Sequence, residues 1–493
     1  MLLPTLFTFR PRCPLLLLAG IVLLALQVSA QTTISGTYTG ATIAGDITVA
    51  TNTSATFTGN TTFTGANAML NSNGGIYWQQ IGTLSGKTVT FGNNAYLYVS
   101  GANNALTLGP ATTLTGQITL YTLNTTGTSI TNSGAINHTS TGYGYLYAPV
   151  FTNSGTITAT AGSLELGAFP SNYTTFNSGT VTADGATTTL YVKGNVANTG
   201  TLRAQNSGVL WFQGNNPSGI LGAVELATGG RVRLGGTLTN TGATLNAPSG
   251  GSFDLYGGTL TGGTVAVGAL TFTSSGGYLD NAILTGDLSL PAGAYVRLIN
   301  SATFTGTNLT LAANSGIYWQ QVATLAAKAL SFGSGSYIYL SGVNSALTLN
   351  PAATATGTLS LYPDGSAGTA ITNQGTLTHT SGSGQIYAVT FTNSGTISAS
   401  AGTLSLGLNS AGYNSTNTAP GSITSSGSGT NVYLRGNFAN LGSLTAQNSG
   451  VLTFDGTNTT ANLGSVTLAT GGRVRLGGTL TNTGATLNAP SGG

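Results

Sequence analysis

Charge is what this chain has least of. Only 4% of its 493 residues are Asp, Glu, Lys or Arg, against roughly a quarter in ordinary soluble domains. The formal net charge is +3, and Arg10 and Arg12 supply part of it, leaving about +1 on the rest. Such a surface has little to offer a phosphate backbone, and no nucleic-acid partner is expected. Cysteine is nearly absent as well: Cys13 is the single one, so no disulfide framework can form. There are two histidines, too few with no nearby cysteine to complete a zinc site. The nine carboxylates are scattered too thinly for a calcium cage, and no cofactor is expected.

Residues 1–30 read as an address. Arg10 and Arg12 precede the apolar run LLLLAGIVLLAL, and Val28-Ser29-Ala30 fits a small-residue cleavage site before Gln31. A signal peptide is therefore expected, with no membrane span in the chain that follows. Export without disulfides points to a bacterium, with the protein secreted or held at the outer cell surface.

What the chain has in abundance is glycine, 75 residues of it, together with Thr, Ser and Asn. Hydrophobic residues still make up 40%, and they alternate regularly, so packing can offset chain entropy. The chain is also duplicated. Leu226 to Gly251 reads LATGGRVRLGGTLTNTGATLNAPSGG, and Leu468 to Gly493 repeats it letter for letter. Elsewhere the copies have drifted but keep step: GIYWQQ surrounds Trp78 and Trp319, an offset of 319 − 78 = 241, shared by Asp46/Asp287, Lys87/Lys328 and His138/His379. We assign residues 31–39 to an N-terminal cap region, 40–278 to copy one and 279–493 to copy two. The second copy stops short of the first, as a piece cut from a longer array would.

A shorter period lies within each copy. Asn-x-Gly recurs at Asn132, Asn153, Asn177, Asn198 and Asn240, then at Asn373, Asn393, Asn440 and Asn482, mostly at steps of about 21 residues. Around these lie phrases such as FTNSGTITATAGSLELG, two short alternating strands separated by turns whose Asn and Gly tolerate left-handed backbone. Period-2 alternation turns Ile157 and Ala159 inward, with Val181/Ala183, Leu202/Ala204, Ile397/Ala399 and Leu444/Ala446 above and below. Leu164/Leu166, Leu190/Val192, Leu210/Phe212 and Val232/Leu234 form a second inward set. The expected fold is all-β: an elongated parallel β-solenoid, right-handed, with about 21 residues per rung and roughly 22 rungs over about 105 Å. The asparagines should stack at one corner, amide on amide. His138 and His379 take the rung position of Ala159 and Ala399, as histidines covering a turn at the edge of the core. GIYWQQ does not fit the rung template, which leaves the direction of Trp78 and Trp319 open.

The phrase N-x-G-T-[ILV]-x-A followed by G-x-[LV]-x-[LVF] resembles the rungs of β-helical proteins of bacterial surfaces, the autotransporter passengers and filamentous-haemagglutinin-like adhesins. The resemblance implies export, a long stalk and attachment to cells or matrix. Alternation also points one column of larger residues outward: Tyr147, Glu165, Tyr191, Trp211, Arg233 and Asp254 in copy one, then Tyr387, Ser405, Tyr433, Thr453 and Arg475 in copy two. Tyr and Trp present flat faces on which sugars stack. The expected function is thus a surface stalk or adhesin-like binding protein, with Tyr147, Tyr191, Trp211, Arg233, Tyr387, Tyr433 and Arg475 as candidate contacts to surface polysaccharide or a host or matrix glycan. It is not expected to be an enzyme, because paired carboxylates are missing. Two alternatives stand beside it: a polysaccharide-active β-helix enzyme, and a solenoid that orders water or ice on hydroxyl faces such as TITAT and TFTGNTTFTG.

Overall fold

The computed structural model describes residues 31–122, 126–168, 173–484, 486–487 and 490–492; the expected signal peptide, 1–30, lies outside them. Among the described residues, apart from a one-turn helix at Thr460–Leu463 and a 3₁₀ turn at Ser218–Ile220, the regular elements are strands, sixty-four of them. They pair in parallel with strands about one coil away, as in Leu190 opposite Leu210 and Ile317 opposite Ile338. The fold is a β-solenoid. Each coil has three strands rather than the two expected, because the asparagine-bearing segment, such as Ser129–Asn132, is itself a strand. Sixty-four strands at three per coil make about 21 coils.

The coil is therefore a three-sided prism. Along copy one run a 10-stranded sheet from Gln31–Ile34 to Ala223–Leu226, a 12-stranded sheet from Gly36–Thr39 to Leu270–Phe272, and a 6-stranded sheet from Ile81–Leu84 to Asn195–Asn198. Through copy two run a 13-stranded sheet from Asn215–Pro217 to Arg473–Leu476, a 9-stranded one and a second 6-stranded one. Residues 31–39 carry the first two strands: Gln31–Ile34 pairs with Asp46–Val49, and Gly36–Thr39 with Ala55–Thr58.

The inward assignments hold. Ile157, Ala159, Leu164, Leu166, Leu190, Val192, Leu210 and Val232 are all 0% exposed, and they belong to parallel apolar columns: Ile157 over Val181 and Ala159 over Ala183 on the 10-stranded sheet, and Leu164, Leu190, Leu210 and Val232 in line on the 12-stranded sheet. At one corner the asparagines form a buried ladder. Asn132 donates its side-chain amide to Asn153 (2.7 Å), Asn153 to Asn177 (2.6 Å) and Asn177 to Asn198 (2.6 Å). Copy two repeats it through Asn373, Asn393, Asn417 and Asn440, each step 2.7 Å. Each amide also reaches a backbone carbonyl two residues on in copy one, for example Asn177 to Gly179 (3.2 Å), so the turn's buried polar groups are satisfied.

Two of the repeated pairs are clamps across coils. Asp46 accepts from the backbone and side-chain nitrogens of Asn67, both at 2.9 Å, and Asp287 does the same with Asn308. These hydrogen bonds hold both carboxyls below the usual range. Lys87 donates to the carbonyls of Phe63 (2.9 Å) and Gly65 (2.6 Å), with its ammonium 4.6 Å from the Phe63 ring. Lys328 repeats this over Phe304.

The histidines His138 and His379 each cover a turn, as expected, with Nε2 against the carbonyl of Gly142 or Gly382, but they do so from inside the core, 0% exposed, rather than from its edge. Small neighbours make the room: His138 lies in register between Gly116 and Ala159, and a β-carbon on Gly144 would fall 2.7 Å from its ring. Its Nδ1 accepts from the Ile118 N–H (3.2 Å) and its Nε2 faces the Gly142 carbonyl (3.2 Å). Only the neutral ring with a proton on Nε2 satisfies both partners. Burial pushes the pKa of both histidines down from 6.5. A depressed folded-state pKa gives stability that is complete above the unfolded value and lost as pH falls toward the folded one. The expected result is a melting temperature that drops from about pH 6.5 downward, well above the pH at which Asp46 and Asp287, both held below the ordinary carboxylate value, begin to contribute. A thermal melt across pH 7.5 to 4.5 checks this, and a His138→Gln, His379→Gln variant should show a flatter profile over that range.

Candidate functional site

Strand register decides which outward residues share a column, and it divides the expected one. Glu165, Tyr191, Trp211, Arg233 and Asp254 are in line on the 12-stranded sheet, but the residue in line above Glu165 is Tyr145. Tyr147 stands two residues further along, opposite Tyr121. Copy two differs in the same way: Gln385, Ser405, Tyr433, Thr453 and Arg475 are in line, and Tyr387 stacks on Tyr362 instead, centroids 5.6 Å apart.

Tyr147 and Tyr387 belong to longer aromatic ladders. On the 12-stranded sheet Tyr77, Tyr98, Tyr121 and Tyr147 occupy one column across four successive coils, with ring centroids 5.6, 5.1 and 5.4 Å apart. On the 13-stranded sheet Tyr318, Tyr339, Tyr362 and Tyr387 do likewise, at 5.5, 4.5 and 5.6 Å. A fifth ring closes each ladder, Tyr173 against Tyr147 (5.8 Å) and Tyr413 against Tyr387 (6.0 Å). The sequence carried a signal for this: an inward Ile or Leu directly precedes each ladder tyrosine, as in Leu97-Tyr98, Leu120-Tyr121 and Leu361-Tyr362. The signal is hidden because the intervals are unequal.

These rings turn edges and faces toward one another. Tyr98 and Tyr121 are tilted by 31° and Tyr362 and Tyr387 by 22°, so what remains for a ligand is ring edges and hydroxyls rather than a row of open faces. Tyr362 donates to Tyr339 along its row (2.9 Å), and Tyr96, one column aside, donates to Tyr77 (3.2 Å). Glycine gives the side rings space: a β-carbon on Gly75 would lie 2.2 Å from the Tyr96 ring, and one on Gly316 as close to Tyr337. Partial burial pushes the Tyr147 hydroxyl up to about 12 and raises Tyr121 and Tyr387. These three phenols therefore stay uncharged hydrogen-bonding groups through neutral and moderately alkaline pH.

The lower half of the copy-one column is built differently. Tyr191 stacks on Trp211 (5.4 Å), and Trp211 meets Tyr256 edge-on (5.1 Å) with the Arg233 guanidinium 4.3 Å over the Tyr256 ring. Glu165 is held by Tyr143 and Lys193, and Arg231 pairs with Asp254 at 2.7 Å. In copy two Thr453 replaces Trp211, and Tyr433 carries Arg435 at 5.0 Å. Trp78 and Trp319 do not face solvent. Both are 2% exposed, with the indole N–H donating to Ala105 O (3.0 Å) and Ala346 O (2.9 Å), so GIYWQQ is an ordinary strand after all.

The nine carboxylates are each engaged with a neighbouring coil or turn: besides those above, Asp184 with Gln205 and Asn206, Glu225 with Arg203, Asp280 with Asn300, Asp364 with Ser341 and Ser366, and Asp455 with Arg435. Among the described residues no three His, Cys, Asp or Glu gather as metal ligands, and no helix is long and apolar enough to cross a membrane. One further face is chemically uniform. On the 9-stranded sheet Thr356, Thr378, Ser398, Thr424, Thr445 and Thr467 are in line, and beside them Thr354, Thr376, Thr396, Ser422, Ser443 and Ser465. No protein-family model and no curated protein matches the chain.

Proposed function

We propose that this protein is an exported bacterial surface stalk whose tyrosine ladders hold a neutral polysaccharide. The carrying observation is the in-line row Tyr77, Tyr98, Tyr121 and Tyr147, repeated as Tyr318, Tyr339, Tyr362 and Tyr387. Strands in successive coils are about 4.8 Å apart, close to the length of one sugar residue, so an extended glycan laid along the axis meets the half-buried phenols of Tyr77, Tyr121 and Tyr147 and passes over Tyr98, which is 9% exposed between them. Uncharged phenols and Thr-rich surroundings suit a hydroxyl-rich, uncharged polymer. Each phenol should contribute about 1 kcal/mol, as a solvent-exchanged hydrogen bond does. The expected outcome on a glycan array is retention of the intact protein on neutral polysaccharides, and at least a tenfold loss for Tyr98→Ala, Tyr121→Ala, Tyr339→Ala, Tyr362→Ala combined. Equal retention by this variant, with unchanged circular dichroism, would leave a stalk without a ladder-borne ligand.

A second use of the surface is favoured by the paired Thr/Ser columns on the 9-stranded sheet, six coils long. Alternate residues on a strand are about 6.7 Å apart and coils about 4.8 Å, so these hydroxyls form a two-dimensional lattice able to order water. A freezing-point hysteresis measurement on the purified protein separates this use from glycan binding.

A further inference from the structure

The duplication does not bring its two copies onto the same faces. The strand Ser54–Thr58 is the fifth in the chain and its counterpart Tyr295–Ile299 the thirty-ninth, a separation of 39 − 5 = 34 strands. At three strands per coil, 34 is eleven coils and one strand over. Each copy-two segment is therefore displaced by one side of the prism from its copy-one counterpart. The sheets record this directly. Gly75–Gln79 belongs to the 12-stranded sheet, and Gly316–Gln320, with the same five residues, to the 13-stranded sheet. Both sheets pass through the same coils near the junction: Arg231–Leu234, Phe253–Leu255 and Leu270–Phe272 lie in the first, and Thr237–Thr239, Thr259–Thr261 and Tyr278–Asp280 in the second. They are different sides of one prism.

The two tyrosine ladders inherit this displacement. They are separated along the axis by about eleven coils, or about 50 Å, and they point from adjacent sides. A repeat of 33 or 36 strands would have put them in line on one face. One straight polymer running along the first ladder passes the second on the wrong side, and would have to cross a corner of the prism to reach it. The corners are made of turns, not of aromatic rows. We infer that the protein holds two separate neutral polysaccharide chains, one per ladder, and so cross-links them. This rests on the glycan-binding reading above.

The experiment uses beads coated with the neutral polysaccharide best retained on the array, and reads bead binding and bead agglutination separately. The intact protein, shown by sedimentation to be monomeric, should bind and agglutinate. Tyr98→Ala with Tyr121→Ala, and separately Tyr339→Ala with Tyr362→Ala, should each still bind, about tenfold more weakly through loss of one of two linked sites, and should not agglutinate. The four substitutions together should weaken binding further than either pair alone. As a measure independent of any variant, hydroxyl-radical footprinting of the intact protein at saturating polysaccharide should protect both ladders. An intact monomer that binds without agglutinating, a single-ladder variant that agglutinates like the parent, or protection confined to one ladder each overturns cross-linking while leaving glycan binding in place. Absence of binding by the intact protein to any neutral polysaccharide overturns both.

Discussion

Leu190→Asp is expected to unfold the middle of the first copy. Leu190 is 0% exposed and lies in register between Leu164 and Leu210, which are equally buried. A carboxylate there has aliphatic neighbours above and below and no partner, and must either stay charged in an apolar column or take up a proton. We expect a loss of at least about 4 kcal/mol, in the range reserved for buried unpaired charges. Because each coil of a solenoid packs mainly on its neighbours, the damage should be local. Hydrogen exchange should show lost protection over the strands Tyr143–Tyr147, Ser163–Leu166 and Val209–Phe212, with the distant second copy unaffected. Unchanged protection in those strands would refute the inward placement of Leu190.

The second large effect is expected from Asn177→Asp, a change of one atom type. Asn177 accepts from Asn153 (2.6 Å) and donates to Asn198 (2.6 Å) and to the Gly179 carbonyl (3.2 Å). An aspartate keeps the first bond and turns the other two into contacts between acceptors. Asn198 has no free choice of flipping its amide to compensate, because its Oδ1 also accepts from the Gly200 N–H (3.1 Å) and its nitrogen donates to Leu221 O (2.6 Å). The ladder runs in one direction, donor toward the C-terminal neighbour, and a single reversed member conflicts with all that follow. The expected loss is about 3 to 5 kcal/mol at neutral pH, as for a buried charge without its partner. Asn177→Ala should cost less, about 2 to 3 kcal/mol, since it removes the bonds without adding a charge. Partial recovery of the aspartate variant as pH is lowered, seen in thermal melts, would follow from its protonation. Equal stability of the Ala and Asp variants would contradict a directional ladder.

Much of the architecture was legible in the residues alone. Alternation placed Leu164, Leu190 and Leu210 inward because a strand's side chains change face at every step, whatever lies around it. The spacing of Asn132, Asn153, Asn177 and Asn198 announced the corner ladder, since a turn that recurs at nearly constant intervals must stack. Asn417 lacks the x-Gly that marks the others, since Thr418-Ala419-Pro420 follows it, although its amide continues the same ladder.

What alternation cannot supply is the relation of one coil to the next. Coil lengths vary from 46 − 31 = 15 residues to 433 − 405 = 28 between partners in register, and the difference is taken up in turns. Register is set by backbone hydrogen bonds between residues a whole coil apart, so only the tertiary structure shows that Tyr145, not Tyr147, lines up with Glu165. The same holds for the rotation of the copies, which depends on a strand count that three does not divide. Sequence determined which face each residue presents; the stacking of neighbours decided which of those faces were buried, and which side chains met.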